Sequence, residues 1–273
     1  VLRGGAHVWT RPIAETSLDE VVTAMIGREH GQVYPARAAG QPEDSPVALR
    51  THALTGRTLT DVSIEARAGR VLGVAGLAGS GRSELLRLVA GAERPAGGTV
   101  ELAGSDVTRL SLARRMDAGI ALVPEERRSQ GLVMNATILQ NIALAHPRGL
   151  STLGVASPRR ERDAAERGKS DLAISATSVQ QPVAELSGGN QQNVVLAKML
   201  ARAPRVLLLD EPTRGIDIGT KSEIYQLIRD LAEDGVAVVV VSSELPELIG
   251  IADAITVLSD GRLVDTVPAA ALT

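Results

Sequence analysis

The chain has 273 residues, of which 44% are hydrophobic, and this length is sufficient to bury a full core. Its 29 basic and 32 acidic residues leave a formal net charge of −3, so we predict that it does not bind nucleic acid. Cysteine is absent, which excludes disulfides and thiolate metal sites. The aromatic residues are Trp9, Tyr34 and Tyr225, too few to form a platform that stacks bases.

The two ends of the chain carry similar sequences. VLRGGAHVWT at 1–10 and VLSDGRLVDT at 257–266 share Val, Leu, Gly, Val and Thr in register, and both predict a strand, a glycine turn and a second strand. One explanation is chance similarity between two hairpins, and the other is a tandem duplication whose first copy is missing. In the second case residues 1–30 are the C-terminal tail of a preceding domain, with a short helix over 17–28. The proline- and glycine-rich residues 31–46 then form a linker.

From residue 47 to residue 273 the hydrophobic pattern is that of an α/β domain. Alternating apolar and polar residues over 61–66 and 98–102 predict half-buried strands. Continuous apolar runs predict strands that are buried on both faces. These runs lie at 71–75, 120–123, 206–209 and 236–241.

Two segments are predicted to be helices that end at a glycine. Residues 82–90 precede Gly91, and the strongly amphipathic residues 219–234 precede Gly235. Strands that alternate with helices favour a mainly parallel sheet with right-handed crossovers. The polar, weakly periodic residues 126–190 predict an inserted, mostly helical subdomain.

The segment GLAGSGRS at 76–83 has the context of a phosphate loop, because it follows a predicted strand and opens a predicted helix. Its glycines allow backbone N–H groups to curl around a polyphosphate, and the helix N-terminus adds partial positive charge. Ser83 lies where a hydroxyl binds Mg²⁺, while Arg82 takes the place of the motif's lysine. Alone, a glycine-rich turn after a strand is more often a tight connection.

Two carboxylates follow the predicted strand at 206–209. Open α/β sheets bind ligands at the carboxyl ends of their strands, so Asp210 and Glu211 are expected beside the phosphate loop. Asp210 would hold Mg²⁺, directly or through water, and Glu211 would polarise an attacking water. A strand that ends in a solvated acidic turn is the alternative.

Two further polar segments complete the pattern. LSGGNQQ at 186–192 precedes a helix with an apolar face, so Ser187 and two glycines make a second helix N-terminus suited to an anion, although a linker can look similar. Ser242-Ser243-Glu244 ends a predicted strand, where a polar group can sense the terminal phosphate. By itself this is an ordinary strand end.

In this order and spacing, the four segments resemble the nucleotide-binding domain of ATP-binding cassette (ABC) proteins. The likeness covers about residues 47–273, and LSGG shortly before LLLDEP is its most specific part. GLAGSGRSEL, VPEERRSQGL, LSGGNQQ and VVSSELPEL resemble the second cassette of duplicated ATPases in bacterial monosaccharide importers, and MIGREHGQVYP at 25–35 resembles the junction between the two cassettes. The resemblance implies an α/β fold of the P-loop NTPase type, with a RecA-like core, a small antiparallel β subdomain and an inserted helical subdomain.

The resemblance also implies a role for each matching position, with ATP and Mg²⁺ as the ligands. Glu211 and Ser243 would be catalytic, and Ser83 and Asp210 would bind the metal. The positions that match the ATP-binding loop are Gly76, Leu77, Ala78, Gly79, Ser80, Gly81, Arg82, Ser83 and Glu84. The positions that match the signature are Leu186, Ser187, Gly188, Gly189, Asn190 and Gln191; Glu125 matches the Q-loop, and Gly215, Ile216 and Asp217 match the D-loop.

In the family two cassettes pair head to tail, and each ATP lies between the phosphate loop of one and the signature of the other. The resemblance therefore implies as partners the first cassette of the same longer chain or a second copy, membrane permease subunits and, indirectly, a periplasmic-type sugar-binding protein. It also implies a peripheral position on the cytoplasmic face of the bacterial cell membrane.

Several features depart from the family's pattern. Arg82 replaces a lysine, Glu125 a glutamine and Ser243 a histidine, and the aromatic residue that stacks on adenine is missing upstream of the loop. The arginine keeps its charge but is not a conservative change in so tight a loop, and the carboxylate of Glu125 would oppose a polyphosphate unless Mg²⁺ or Arg82 neutralises it. Loss of the ring removes on the order of 1–3 kcal/mol of affinity. We therefore expect an asymmetric pair, in which this cassette's own site is weak or slow and its signature serves the stronger site of the partner.

Other functions stay open at this stage. A regulatory cassette would hold nucleotide without hydrolysing it; Glu211 argues for residual chemistry and Ser243 against it. An importer of nucleosides would have closely similar cassettes. A soluble ABC protein of DNA repair or translation is disfavoured by the net charge, and the segment between Ser83 and Ser187 lacks the sustained heptads of the repair type.

Overall fold

The computed structural model describes every residue except 4, 27–33, 36–44, 148, 153–154 and 273. The strands of the described residues, numbered in chain order, are β1 (Leu2–Arg3), β2 (Ala6–His7), β3 (Val47–Thr55), β4 (Glu65–Arg67), β5 (Val71–Gly76), β6 (Gly97–Leu102), β7 (Ser105–Asp106), β8 (Ile120–Val123), β9 (Ser151–Thr152), β10 (Val155–Ala156), β11 (Val206–Asp210), β12 (Ala237–Val241), β13 (Ala254–Ser259) and β14 (Arg262–Pro268).

Eight α-helices lie in the described part of the chain. They are α1 (Leu18–Ile26), α2 (Arg82–Ala90), α3 (Leu112–Ala118), α4 (Ile138–Leu144), α5 (Pro158–Asp171), α6 (Gly188–Leu200), α7 (Ile218–Glu233) and α8 (Leu245–Ile251). The helices predicted over 82–90 and 219–234 are confirmed as α2 and α7. Within these described ranges, no helix combines the length and the apolar character that a bilayer crossing requires.

A six-stranded sheet forms the centre of the domain, in the order β14–β13–β5–β12–β11–β8. All neighbours in it pair in parallel except β13 and the edge strand β14. Every residue of β11 and β12 is buried, as their continuous apolar sequences predict. The mainly parallel sheet and its four apolar strands are therefore confirmed. Because β5 lies between β12 and β13, the loop after β5 has a different strand on each side.

Apolar side chains pack against both faces of this sheet. Leu207 and Leu209 face one core, which α4 to α8 cover, while Val206 and Leu208 face the other, which α2 and strands β3, β4 and β6 cover. This alternation follows from the two-residue period of a strand. The loops that carry the candidate residues therefore rest on a sheet that is packed on both faces.

A second, antiparallel sheet has the order β4–β3–β6–β7. The strand predicted over 98–102 is confirmed as part of β6. The strand predicted over 61–66 is largely wrong, because β4 begins at Glu65 and Val62 forms only an isolated bridge with Leu54. Between the pairs Arg50–Glu65 and Leu54–Val62, the facing strand β3 has one extra residue and Ala53 has a positive φ of +47°, so the pairing that the alternating sequence suggested is interrupted there.

The region between β8 and α6 contains α4, α5 and the short hairpin β9–β10. Thr137 and Gln140 form a capping box at the start of α4. α5 buries only Ala164 and Ala165, so its polar sequence carries little periodic signal. The boundaries of the subdomain stay a prediction.

The N-terminal residues form a hairpin and a helix. β1 and β2 pair antiparallel around Gly5, whose φ is +81°, in agreement with the predicted strand–turn–strand. At the start of α1, Ser17 Oγ accepts the N–H of Glu20 at 3.2 Å and the Glu20 carboxylate accepts the N–H of Ser17 at 2.9 Å. Most of the predicted linker at 31–46 and of the junction at 25–35 lies outside the described residues. Whether this unit is the tail of a preceding domain stays a prediction.

Candidate functional site

The glycine-rich loop lies between β5 and α2, at the centre of the sheet. Gly79 and Gly81 have φ values of +85° and +96°, which L-residues with a side chain rarely adopt. Gly76 is required for space, because a Cβ there would overlap Ser80 Oγ and the carbonyl oxygen of Leu258. The chain thus curls tightly enough for its backbone to approach a ligand.

The polar groups that line this loop are suited to bind a polyphosphate. The first intrahelical bond of α2 runs from Leu85 N–H to the Gly81 carbonyl, so the preceding N–H groups have no partner within the helix. Ser80 Oγ is buried and has no hydrogen-bond partner within the described residues, which is a position for a ligand oxygen. The predicted phosphate contacts of residues 76–83 are therefore compatible with the geometry.

Asp210 lies at the end of β11, beside the start of α2. Its Oδ1 accepts a hydrogen bond from Ser83 Oγ at 3.0 Å, which brings the two predicted metal-binding residues together. Burial, together with the charge of Glu211, raises the pKa of Asp210 despite the Ser83 hydrogen bond. A divalent cation beside Asp210 would stabilise the ionised form of its carboxyl group. Mg²⁺ is usually held by one or two protein carboxylates, with substrate phosphates and water as the remaining ligands, and the pair of Ser83 and Asp210 fits that donor set.

Glu211 is bound through both of its carboxylate oxygens. Its Oε1 lies 3.4 Å from Arg82 Nη2, and its Oε2 accepts a hydrogen bond from Ser243 Oγ at 3.1 Å. Arg82 Nη1 also donates to the carbonyl oxygen of Ser242 at 2.5 Å. The structure thus brings Arg82, Glu211 and Ser243 together, with the guanidinium directed at the strand ends. To reach a phosphate, Arg82 has to leave Glu211.

The signature residues form the N-terminus of α6. Ser187 Oγ is the N-cap and accepts hydrogen bonds from the backbone and side-chain nitrogens of Asn190, at 3.4 and 2.8 Å. Gln191 is buried and donates to the carbonyl oxygens of Val183 and Leu186, so it supports the turn from within. Side chains at Gly188 and Gly189 would meet Arg127 and Thr220 respectively.

The predicted Q-loop and D-loop residues meet through Arg214. Glu125 forms an ion pair with Arg214, so its charge is offset by a residue that the sequence did not indicate, rather than by Arg82. Gly215 has a φ of +67°, and Ile216 follows it. Asp217 is the N-cap of α7 and accepts the N–H of Thr220 at 3.0 Å, one of the hydrogen bonds that lower its pKa.

Glu84 is the last position of the predicted ATP-binding loop, and its side chain is engaged elsewhere. Its carboxylate accepts the backbone N–H groups of Arg57 and Thr58, at 2.5 and 2.9 Å, and so points away from the phosphate loop. Only the backbone of Glu84, in the first turn of α2, remains available to a ligand. No sequence pattern links two segments that lie 26 or 27 positions apart.

Glu247 is an important residue that the sequence analysis missed. It is 1% exposed and accepts hydrogen bonds from Thr213 Oγ1 at 2.5 Å and from Ser242 Oγ. Thr213 lies two residues after Glu211, and Ser242 lies directly before Ser243. The carboxylate of Glu247 therefore joins the loop that carries Glu211 to the loop that carries Ser243. Its signal in the sequence is a single charged residue inside the otherwise apolar α8.

A glycine loop between a buried parallel strand and a helix, with two carboxylates at the end of a nearby strand, defines a nucleotide-binding domain of the P-loop type. The family model described as "ABC transporter" matches residues 59–214. The chain therefore belongs to the ABC transporter family, and its fold is that of an ABC nucleotide-binding domain.

Relatives with similar sequences are ATP-binding proteins of import systems. The "Ribose import ATP-binding protein RbsA" of Chromobacterium violaceum is 46% identical over 263 residues, which cover 96% of this chain and 52% of the relative. A "Putative ribose/galactose/methyl galactoside import ATP-binding protein 1" of Rhizobium meliloti is 44% identical, with 97% of this chain and 52% of the relative covered. The chain thus spans about half the length of the curated relatives it matches.

Solved structures of ABC cassettes share the fold. The cassette MJ0796 bound to ADP and Pi, described as a dimer in a post-hydrolysis state, is 25% identical with a TM-score of 0.70, and the match covers 81% of this chain and 98% of that one. The cbiO1 protein of Clostridium perfringens is 20% identical with a TM-score of 0.71, covering 84% and 91%. The second likeness supports the fold alone.

Proposed function

We propose that the chain is the second cassette of a duplicated ABC ATPase, which couples ATP binding and hydrolysis to the uptake of a monosaccharide. The names of its relatives support ribose or a related sugar as cargo, and the half-length match agrees with one cassette of two. The similar hairpins at 1–10 and 257–266 support a preceding cassette. Its partners would be that cassette or a second copy, permease subunits and a periplasmic-type sugar-binding protein, at the cytoplasmic face of the membrane.

In the proposed mechanism the chain holds the phosphates of ATP through its backbone. The N–H groups of the curl at 76–84 and the Ser80 hydroxyl would bind the phosphate oxygens. Ser83 and Asp210 would hold Mg²⁺, which supplies positive charge that offsets the phosphates when it is bound. Glu211 would orient and polarise water, with Ser243 fixing its carboxylate by the 3.1 Å hydrogen bond.

The observation that carries the asymmetric part of the proposal is the engagement of Glu211. Arg82 holds Glu211 and the Ser242 carbonyl, so ATP has to compete with these contacts for the guanidinium. Ser243 is also a far weaker base than a histidine. We therefore infer that this cassette's own site turns over slowly, while residues 186–191 complete the site of the partner cassette.

Single-turnover ATP hydrolysis by the longer two-cassette protein tests this function. Glu211→Gln should leave most of the hydrolysis intact, whereas the equivalent change in the other cassette should abolish it. Equal loss from both changes would contradict the asymmetry. Uptake of radiolabelled ribose in cells that carry the second variant should fall to background, and continued uptake would contradict the coupling.

The alternative is a regulatory half that binds nucleotide and never hydrolyses it. The paired state of Glu211 favours it, because both oxygens of the carboxylate are already engaged. Under this alternative, Glu211→Gln has no effect on single-turnover rates even when the other cassette is inactivated. A nucleoside as cargo would instead show as competition by nucleosides, and not by ribose, in the uptake assay.

A further inference from the structure

Glu84 lies one residue beyond the phosphate loop and is 3% exposed. Its carboxylate accepts the N–H of Arg57 at 2.5 Å and that of Thr58 at 2.9 Å. Burial acts to raise the pKa of Glu84, but the hydrogen bonds from these two amides outweigh it and lower the pKa. A charged carboxylate on α2 therefore fixes the backbone of a distant segment, which we call the 56–59 segment.

Close packing holds the 56–59 segment from three directions. At Gly56 a Cβ would lie 2.5 Å from Glu84 Oε1 and 2.8 Å from a methyl group of Leu88, so the segment lies directly on α2. The carbonyl oxygen of Thr58 contacts Gly261, in the turn between β13 and β14. A Cβ at Gly81 would be 2.5 Å from Leu59 Cδ2, so the segment also abuts the last glycine of the phosphate loop.

The order of strands assigns a direction to a bound nucleotide. The phosphate loop follows β5, and on its β12–β11 side lie Ser242, Asp210 and Glu211. The metal ion and the terminal phosphate belong on that side, next to the carboxylates. On the other side lie the β13–β14 turn and the 56–59 segment. The nucleoside end of the ligand must therefore leave the loop toward this segment.

We propose that Glu84 is a positioning residue for the nucleoside end of the bound nucleotide, and that it acts by fixing the 56–59 segment. The proposal rests on the proposed binding of ATP. Because its carboxylate is engaged by the amides of Arg57 and Thr58, Glu84 would act without contacting the phosphates or the base. Within the segment, Arg57 is exposed and lies beside the site. The aromatic rings of Tyr34 and Tyr225 stack on each other and not on this segment.

The test compares ATP with inorganic tripolyphosphate, which has the phosphates but no nucleoside. Calorimetric titrations of both ligands, with Mg²⁺, are made on the wild-type chain and on Glu84→Gln. Glutamine removes the charge and puts an NH2 donor in place of one carboxylate oxygen, so the 2.9 Å bond from Thr58 N–H to Oε2 is lost and we expect ATP to bind about tenfold more weakly. Tripolyphosphate should bind at least as tightly as before, because the substitution removes a negative charge. Glu93→Gln removes the same charge from an exposed pair with Arg87 and should change the ratio of the two constants less than twofold.

Gly56→Ala is a second variant, because its Cβ would lie 2.5 Å from Glu84 Oε1 and 2.8 Å from a methyl group of Leu88, so the contact between the segment and the carboxylate has to change while the charge of Glu84 remains. It should reproduce the selective loss of ATP binding. An unchanged ratio of the ATP and tripolyphosphate constants in both variants, each verified as folded by circular dichroism, would overturn the proposal. Absence of binding of both ligands by the wild-type chain would instead contradict the proposed function.

Discussion

The buried position of Asp210 suits the proposed metal site but lowers the stability of the folded chain. Burial and the charge of Glu211 both oppose ionisation and raise the pKa of this carboxyl group. The folded state therefore binds the proton more strongly than the unfolded state. The contribution of Asp210 to stability is fully present below its unfolded pKa and is lost as pH rises through its raised, folded pKa.

Asp210→Asn removes the free-energy cost of ionising a buried carboxyl group. It should therefore raise the melting temperature by about 2 °C or more at neutral pH without Mg²⁺. The variant should also lose the stabilisation that Mg-ATP gives the wild-type chain. Scanning calorimetry at pH 7 and at pH 4 measures both effects, and the advantage of the variant should shrink at pH 4. A variant that is less stable than wild type at pH 7 would contradict this account.

Arg82 is shared between the ligand site and the strand ends. Its guanidinium holds the Ser242 carbonyl and Glu211 at the same time, which a lysine ammonium on a single stem cannot do in the same way. Arg82→Lys should therefore free the charge for phosphate and tighten ATP binding about tenfold. Calorimetric titration measures the change, with Arg87→Lys on the same helix as the control. Weaker binding by Arg82→Lys would show that the contacts with Ser242 and Glu211 do not compete with ATP.

At the scale of elements, buried polar groups join segments that are distant in sequence. Arg115 of α3 is 1% exposed and donates to the carbonyl oxygens of Leu88 and Val89, at the end of α2, and to that of Thr108 at 2.6 Å. These acceptors lie where a helix lacks its own donors. Arg115 thus fixes the C-terminal end of the helix that begins at the phosphate loop.

Arg115→Met keeps much of the side-chain volume but removes the donor to the Val89 and Thr108 carbonyl groups, while the Leu88 carbonyl keeps only the N–H of Gly91. We expect the free energy of unfolding to fall by about 2–4 kcal/mol. Urea denaturation measures the loss, and Arg114→Met, at the preceding position of the same helix, is the control and should cost less than about 0.5 kcal/mol. Equal losses from the two variants would contradict the role of Arg115 as a cap.

The sequence predicted those elements whose signal is local. Apolar runs sufficed for β5, β11 and β12, and a period of 3.6 with a closing glycine sufficed for α2 and α7. β3 was not resolved as a strand, because its register shifts between His52 and Thr55 and its alternation is broken. The start of β4 was misplaced because Ala53 of β3, with a φ of +47°, breaks the pairing between Val62 and Glu65.

At the candidate site, the loop residues and the two carboxylates could be placed by topology, since parallel strands end at one edge. The hydrogen-bond partners of the side chains could not be predicted in this way. The carboxylate of Glu84 reaches amides in the loop between β3 and β4, and Glu247 joins two loops through hydroxyl donors that no spacing rule connects. These contacts depend on how the elements pack, so they become visible only in three dimensions.

At the scale of the whole molecule, Tyr34 ties the segment before the domain to the domain itself. Its ring stacks on Tyr225 of α7 with 5.2 Å between centroids, and it covers Gly250 of α8, where a Cβ would overlap the ring. Tyr225 in turn is buried and hydrogen-bonded to Glu247, and burial is the main cause that raises its pKa. Tyr34 thus contacts a residue that is itself hydrogen-bonded to Glu247, the side chain that joins the loops of Glu211 and Ser243.

Tyr34→Ala removes the stacked ring and should lower the free energy of unfolding by about 1–2 kcal/mol. Tyr34→Phe keeps the ring and should stay within about 0.5 kcal/mol of wild type. Denaturation followed by circular dichroism separates the two. If the alanine and phenylalanine variants unfold alike, the ring does not anchor the segment.

Our proposals depend on the loop at 76–83, which would bind the triphosphate of ATP together with Ser83 and Asp210. Calorimetric titration of ATP into the chain, with and without Mg²⁺, tests this claim most directly. We expect one site with a dissociation constant of roughly 10 μM to 1 mM, and we expect Mg²⁺ to strengthen binding in the wild type but not in Ser83→Ala. A folded chain that gives no binding heat at millimolar Mg-ATP, or that binds equally well after Ser83→Ala, would contradict it.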